Sequence, residues 1–198
     1  MIDNYEILLH CRGGFPDKEF KDYPKVILVH NQEGTANNVA LKLVNNGFFP
    51  YLFPSSRGLI ETWSSNFNNI KDSTAILIHK DIGGIGIEEV IKRLRDQGGE
   101  LIRTFILSGE FFRSPIDERC MKFAQDLGID GGYDPTGMFG DGPVPEWIVD
   151  LLKVGYLTPE ELLLRGTKEG LIRNDIMAKE HIKKYRLEGR RGPDKERR

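Results

Sequence analysis

Apolar strand patterns alternate with helical patterns about five times between residues 25 and 153. KVILVH at 25–30 and TAILIH at 74–79 are short runs rich in Val and Ile, which is typical of parallel strands that are buried on both faces. IRTFIL at 102–107 repeats the pattern, and apolar residues at helical spacing separate the runs. The alternation therefore predicts an α/β fold with a doubly wound parallel sheet and helices on both of its faces.

The remaining elements of this sheet follow from spacing and from Gly and Pro. Phe48 to Phe53 predicts a second strand, and Pro50 places it at an edge of the sheet. Helices are predicted to begin near residues 35, 59, 87 and 116, and a short extended segment follows Gly128. The sequence therefore predicts a five-stranded, flavodoxin-like domain over residues 25–153.

Two further segments flank the predicted domain. Residues 1–24 form an N-terminal extension, and residues 154–198 are predicted to be a helical extension. The sequence TPEE at 158–161 is a capping box that opens a short helix, and a longer helix is expected over 167–187. Residues 179–198 contain nine Lys or Arg and four Asp or Glu, so the chain ends in a basic tail.

Composition excludes several classes of protein. No apolar run approaches the roughly 20 residues of a membrane span, and the amino terminus lacks the features of a secretory signal. Cys11 and Cys120 are the only cysteines, which argues against a disulfide framework. We therefore expect a cytoplasmic protein without a membrane partner. Nucleic acid is not expected as the main ligand, because residues 1–178 carry a net charge of −7 (19 Lys and Arg against 26 Asp and Glu).

Polar and glycine-rich loops are predicted at the edge where the carboxyl ends of the strands meet. Ligands of doubly wound sheets bind in the crevice at that edge, and the N–H groups of the following helix starts suit a polar or phosphate-bearing ligand. The candidate binding residues on these loops are Gln32, Glu33, Gly34, Thr35, His79, Asp81, Ser108, Gly109, Gly140, Asp141 and Gly142. The sequence predicts no catalytic residue and no metal ligand, so whether the chain is an enzyme stays open.

His30 and His79 end neighbouring predicted strands. They are therefore expected either to face each other in the crevice, as a metal or acid–base pair, or to cap their strands by bonding a backbone carbonyl. The glycines of GMFGDG at 137–142 precede a helix that is predicted to start near Pro145. This stretch predicts close approach of a ligand to the main chain, or alternatively a long surface loop.

Three stretches resemble the cobalamin-binding domain of adenosylcobalamin-dependent mutases and related methyltransferases. KVILVHNQEGTANNVALKLVNNGF is similar to that family's first strand, its D-x-H-x-x-G loop and its first helix. FILSGEF stands where the family has a strand-four G-G loop, and LGIDGGYDPTGMFGDGPVPEWIVDLL resembles its closing Gly-rich loop and helix. The resemblance covers about residues 25–153 and implies an accessory subunit that holds cobalamin for a larger catalytic subunit.

The cobalt-ligating motif of that family is altered in this chain. Its Asp, His and Gly fall on Glu33, Thr35 and Asn38 when the loops are matched without gaps. A neutral hydroxyl is a weak metal ligand. The resemblance therefore implies that any bound cobalamin keeps its own base on cobalt.

The chain also resembles the receiver domain of response regulators, which shares the predicted fold. NQE at 31–33 then stands for the acidic cluster, and Ser108 stands for the strand-four Ser or Thr. The phosphoacceptor Asp is either Asp81, two residues late against the strand end, or is replaced by His79, and no Lys follows strand five in the expected place. This resemblance implies a degenerate receiver-like signalling or interaction module without a complete Mg²⁺ site.

A third functional hypothesis is a small enzyme that binds a phosphorylated or nucleotide ligand in the same crevice. Under all three hypotheses, residues 155–187 are predicted to mediate self-association or the docking of a larger partner, because an apolar set lies beyond a core that already looks complete. The set is Leu162, Leu163, Leu171, Ile172 and Ile176. Truncation after Gly155 is accordingly expected to leave a folded protein of lower oligomeric order.

Overall fold

A five-stranded parallel sheet organises the computed structural model, which describes residues 23–65, 67–108, 118–133, 155–165 and 167. The strands are β1 (Lys25–Val29), β2 (Phe49–Phe53), β3 (Ala75–His79), β4 (Arg103–Leu107) and β5 (Gly131–Tyr133). Their order is β2-β1-β3-β4-β5, and every pair of neighbours is parallel. The predicted doubly wound, flavodoxin-like sheet is confirmed.

Helices connect the strands as the apolar spacing predicts. They are α1 (Glu33–Asn45), α2 (Ser56–Ser64), α3 (Ile87–Leu94), α4 (Glu118–Leu127) and α5 (Pro159–Leu164), with a 3-10 helix at Phe67–Asp72. α1 begins two residues before the expected Thr35, and α2 begins three residues before the expected start. The predicted helix near Pro145, the glycine-rich stretch 137–142, most of 167–187 and the N-terminal extension lie outside the described residues. None of the described helices is both long and apolar enough to cross a membrane.

Each strand buries side chains on both faces of the sheet, because successive residues point to opposite sides. In β1, Ile27 and Val29 join a core cluster with Leu59 of α2 and Val90 of α3. Val26 and Leu28 join a second cluster on the other face, to which α1 contributes Val39, Ala40 and Leu43. The two clusters explain why the central strands are continuous apolar runs rather than alternating ones.

Pro50 lies in β2, the strand at one end of the described sheet. The amide of Phe49 donates to Pro24 and the carbonyl of Phe53 accepts from His30, so the backbone groups of alternate residues 49, 51 and 53 face β1. The backbone N–H and C=O groups of residues 50 and 52 therefore point away from β1. Pro50 lacks an N–H, so the outward edge of β2 presents few donors to another strand. The predicted edge position of Pro50 is confirmed.

Replacing Pro50 with valine is expected to promote self-association through β2. Valine restores an outward N–H and favours extended backbone, which removes the protection of the edge. Light scattering during incubation at 37 °C should rise faster for Pro50→Val than for the wild type. Tyr51→Val is the matched control, because the backbone groups of Tyr51 already face β1. Equal scattering from all three proteins would show that the edge is protected in another way.

Residues 155–165, here called the strap, pack on the amino-terminal edge of the sheet. Leu157 is buried, and its amide donates to the carbonyl of Leu101 at 2.9 Å. The hydroxyl of Thr158 accepts from the amide of Glu161, and the carboxylate of Glu161 accepts from the amide of Thr158. The predicted capping box at the start of α5 is therefore confirmed.

Two ion pairs fasten the strap to β4 and to the start of β5. Arg103, whose side chain is 2% exposed, donates to both carboxylate oxygens of Glu161 at 2.9 and 3.1 Å. Arg165 donates to Asp130 at 2.9 Å, and both of these side chains are almost completely buried. The expectation that the core is complete before residue 155 is therefore wrong, because the strap supplies the partners of two buried charges.

Candidate functional site

The loops after β1 and β3 meet at the carboxyl edge of the sheet, as the strand order requires. The side-chain amide of Asn31 donates to the backbone carbonyl of Asp81 at 3.2 Å and joins the two loops directly. The amide of Lys80 donates to the carbonyl of Leu107 at 3.2 Å, which ties the β3 loop to the end of β4. The Lys80 ammonium lies 5.6 Å from the ring centre of Phe123 in α4. Three neighbouring strands thus contribute to one edge.

His30 and His79 face each other at this edge. Their ring centroids are 4.4 Å apart and the ring planes are tilted by 43°. His30 is 2% exposed, whereas His79 is partly exposed, and its buried Nδ1 atom has no hydrogen-bond partner among the described residues. The facing arrangement is therefore the one that the structure adopts. Neither ring makes the expected bond to a backbone carbonyl within the part of the chain that the structure describes.

A backbone bond fixes the protonation of His30. The amide of Gln32 donates to Nδ1 of His30 at 3.0 Å, so the neutral ring carries its proton on Nε2. Burial, and secondly the neighbouring His79 ring, lower the pKa of His30 from 6.5 to about 4. His30 is therefore neutral near pH 7. A protonated Nε2 has no lone pair for a metal, and the low pKa makes the ring a poor general acid.

Glu33, Gly34 and Thr35 lie in the first turn of α1 rather than in a loop. The hydroxyl of Thr35 donates to the side-chain oxygen of Gln32 at 3.3 Å. Only His30, Asn31 and Gln32 separate β1 from α1. The matched positions Glu33, Thr35 and Asn38 therefore lie within α1 and not in a loop.

The side chain of Ser56 binds the backbone of the β3–α3 loop, and Ser56 is not among the predicted site residues. Its hydroxyl accepts from the amide of Ile85 at 2.8 Å and lies 3.0 Å from the carbonyl oxygen of Gly83. Gly84 has a φ of +104°, a conformation that favours glycine. Ser56 is fully buried at the start of α2. No local signal marks this contact, because 29 residues separate the hydroxyl from Ile85 in sequence.

The other predicted site residues are only partly placed. Ser108 directly follows β4 and is 8% exposed, so it lies beneath the same edge as His79. Asp81 is exposed in the loop, two residues beyond the last residue of β3. Gly109, Gly140, Asp141 and Gly142 lie outside the described residues. Within the described ranges, no three His, Cys, Asp or Glu side chains are grouped as a metal site requires.

Solved structures share this arrangement of strands and helices. A response regulator receiver protein from Pseudomonas putida is 12% identical, and the match covers 67% of this chain and 97% of that chain with a TM-score of 0.50. The fold is that of receiver domains. The receiver domain of a Francisella response regulator is 18% identical over 66% of this chain and 94% of that chain, with a TM-score of 0.49. No protein-family model matches the chain, and no curated protein sequence does either.

These likenesses concern the fold. At such identities a shared sheet does not carry a shared reaction, because one fold supports many functions. Of the two families that the sequence resembles, the receiver domain is the one represented among these structural neighbours. The function must therefore be argued from the side chains at the carboxyl edge.

Proposed function

We propose that this chain is a receiver-like interaction module that works without aspartyl phosphorylation and is read through its surface by a partner. His79, the last residue of β3, carries the proposal, because the receiver resemblance expects the phosphoacceptor Asp at this strand end. An imidazole at that place cannot form an acyl phosphate. Asp81, the next carboxylate along the chain, lies two residues farther along the loop, whose backbone is bonded to Asn31.

The residues after β1 support the same proposal. The receiver resemblance expects carboxylates there, which together with the phosphoacceptor would hold Mg²⁺ through oxygen ligands. His30, Asn31 and Gln32 occupy the segment instead, and the ring of His30 is neutral near pH 7. Glu33, in the first turn of α1, is the single carboxylate of the NQE stretch. Neutral side chains do not offset the positive charge of Mg²⁺ as carboxylates do. The edge therefore favours a constitutive module over a phosphorylation switch.

A small phosphodonor tests the proposal. Incubation with acetyl phosphate and Mg²⁺ is expected to leave the intact mass of the protein unchanged, because no carboxylate stands at the end of β3. An active receiver domain should gain a phosphoryl group under the same conditions. A phosphorylated wild-type protein whose modification disappears in Asp81→Asn would show that Asp81 has moved into the acceptor role, and the proposal would fail.

The same preparation tests the cofactor-holding and enzymatic hypotheses. Under the proposal, cobalamin should keep its free absorption spectrum in the presence of the protein, and nucleotides should not raise the melting temperature. A shifted cobalamin spectrum would support the accessory cobalamin-binding hypothesis instead. Stabilisation by a nucleotide would support a small enzyme with a ligand in the crevice.

A further inference from the structure

The strap carries a concentrated set of exposed apolar side chains, although it is anchored by buried charges. The described part of the chain has five exposed large apolar residues, and all except Leu41 lie on the strap or beside it. We call these four the strap patch: Leu101, Tyr156, Leu162 and Leu163. Leu163 is 81% exposed. An apolar set of this kind on an otherwise packed element is typical of a docking surface.

Backbone contacts hold the members of the strap patch together. The amide of Leu157 bonds to the carbonyl of Leu101, which places Tyr156 beside Leu101. At the other end of the strap, the guanidinium of Arg165 bonds to the backbone carbonyls on either side of Leu101. α5, with Leu162 and Leu163, lies between these two anchors. The four residues therefore lie on, or directly beside, one segment that is anchored at both of its ends.

Exposed carboxylates surround the strap patch. Burial, and secondly the charge of Asp72, raise the pKa of the Tyr156 phenol, so Asp72 lies close to this ring. Glu100 precedes Leu101, and Glu160 lies three residues before Leu163 on the same helix. Of the nearby cations, Arg103 and Arg165 are already paired with Glu161 and Asp130, and Lys25 lies 3.7 Å from Asp72. Because Lys25 offsets the charge of Asp72, the acidic character of the rim rests on Glu100 and Glu160.

We propose that the strap patch is the docking surface of the chain's own basic segment, residues 168–187. In this segment Lys and Arg outnumber Asp and Glu by six to three, which complements the acidic rim. The segment also contains Leu171, Ile172, Ile176 and Ile182, which supply apolar side chains for the patch. The charge and the apolar residues of this segment do not depend on the chemistry at the carboxyl edge. An experiment can therefore contradict this proposal without contradicting the proposed function.

The point at which the chain leaves the strap favours docking within one molecule. Thr167 is three residues beyond the end of α5, and its amide and hydroxyl bond to the carbonyl of Leu164 at 3.0 and 2.6 Å. The basic segment therefore starts within reach of Leu162 and Leu163. A short connection gives an effective concentration of about the millimolar range, so that even a weak contact forms within one molecule. Displacing the segment exposes an apolar surface that a partner protein can use.

Hydrogen exchange of the full-length chain tests the docking. Leu163→Ser is expected to accelerate exchange of amides in 168–187 by about tenfold or more, because it removes the most exposed apolar side chain of the patch without changing the charge. Exchange in β1 and β3 should stay unchanged, since Leu163 is largely exposed. Leu41→Ser is the matched control on α1 and should leave 168–187 as in the wild type. Glu160→Lys should also accelerate exchange, and added salt should reduce the difference from the wild type.

Three outcomes would overturn the proposal. The first is exchange in 168–187 that is already unprotected in the wild type. The second is protection that Leu163→Ser and Glu160→Lys both leave unchanged. The third is protection that rises with protein concentration, which would assign the strap patch to a contact between two copies of the chain.

Discussion

A chain truncated after Gly155 should fail to fold at 25 °C, whereas a chain truncated after Thr167 should fold cooperatively. The first truncation removes Glu161 and Arg165, and the second keeps both. Arg103 and Asp130 would then remain in the sheet without the ion-pair partners that the strap supplies. Removing one partner of a buried pair costs about 3–5 kcal/mol.

The size of the combined loss decides the outcome. Two broken pairs and the exposure of the buried Leu157 side chain together approach the whole stability of a typical domain, roughly 5–15 kcal/mol. Circular dichroism and urea denaturation of the two truncated chains measure the difference. Arg165→Met in the full-length chain isolates one pair and should lower the free energy of unfolding by several kcal/mol, because Asp130 loses its guanidinium partner. If the chain truncated after Gly155 unfolds cooperatively at the same urea concentration as the longer chain, the strap does not contribute to the stability of the core.

Acidification from pH 7 to pH 4 should destabilise the protein by about 3 kcal/mol through His30 alone. Burial and the His79 ring lower the pKa of His30 from 6.5 to about 4 in the folded protein. As the pH falls below 6.5, the unfolded chain binds a proton that the folded protein excludes. Stability contributed by the neutral ring is therefore complete above about pH 6.5 and is lost progressively down to about pH 4, at about 1.4 kcal/mol for each unit of pH.

Urea denaturation at several pH values measures this effect against a matched pair of variants. His30→Gln should be less stable than the wild type at pH 7, because the packing and the bond from Gln32 change, but its stability should fall much less between pH 6.5 and pH 4.5. His79→Gln removes the neighbouring ring and keeps His30, so most of the acid sensitivity should remain, since burial is the larger cause. Equal pH slopes for His30→Gln and the wild type would show that His30 is accessible to protons in the folded protein.

The sheet and its helices could be predicted from local patterns. KVILV, AILIH and RTFIL are buried on both faces, as their apolar composition indicates, and Pro50 marks the edge strand. The capping box at Thr158 could also be predicted, because its partner is three residues away. The position of His30 and His79 followed as well, since parallel strands bring their carboxyl ends to one edge.

The state of the candidate site was decided only by the tertiary structure. The sequence left open whether the two histidines face each other or cap their strands. The amide of Gln32 and the burial of His30 decide the tautomer and keep the ring neutral. The loop between β3 and α3 is held by a hydrogen bond to the hydroxyl of Ser56, which lies at the start of α2. These contacts depend on the position of groups that no local pattern relates.

The sequence by itself determined the fold class, the order of the elements and the edge at which their polar loops meet. Tertiary structure decided which segment pairs with the buried charges of the sheet. Arg103 is a charged residue in an otherwise apolar strand, and its partner Glu161 lies 58 residues later in the sequence. Asp130 is paired in the same way with the distant Arg165. The spacing of apolar residues predicts which face of a strand or helix is buried, because residues at regular intervals along the chain share a face. The partner of a buried charge depends on which distant segments pack together, and only the folded chain fixes that.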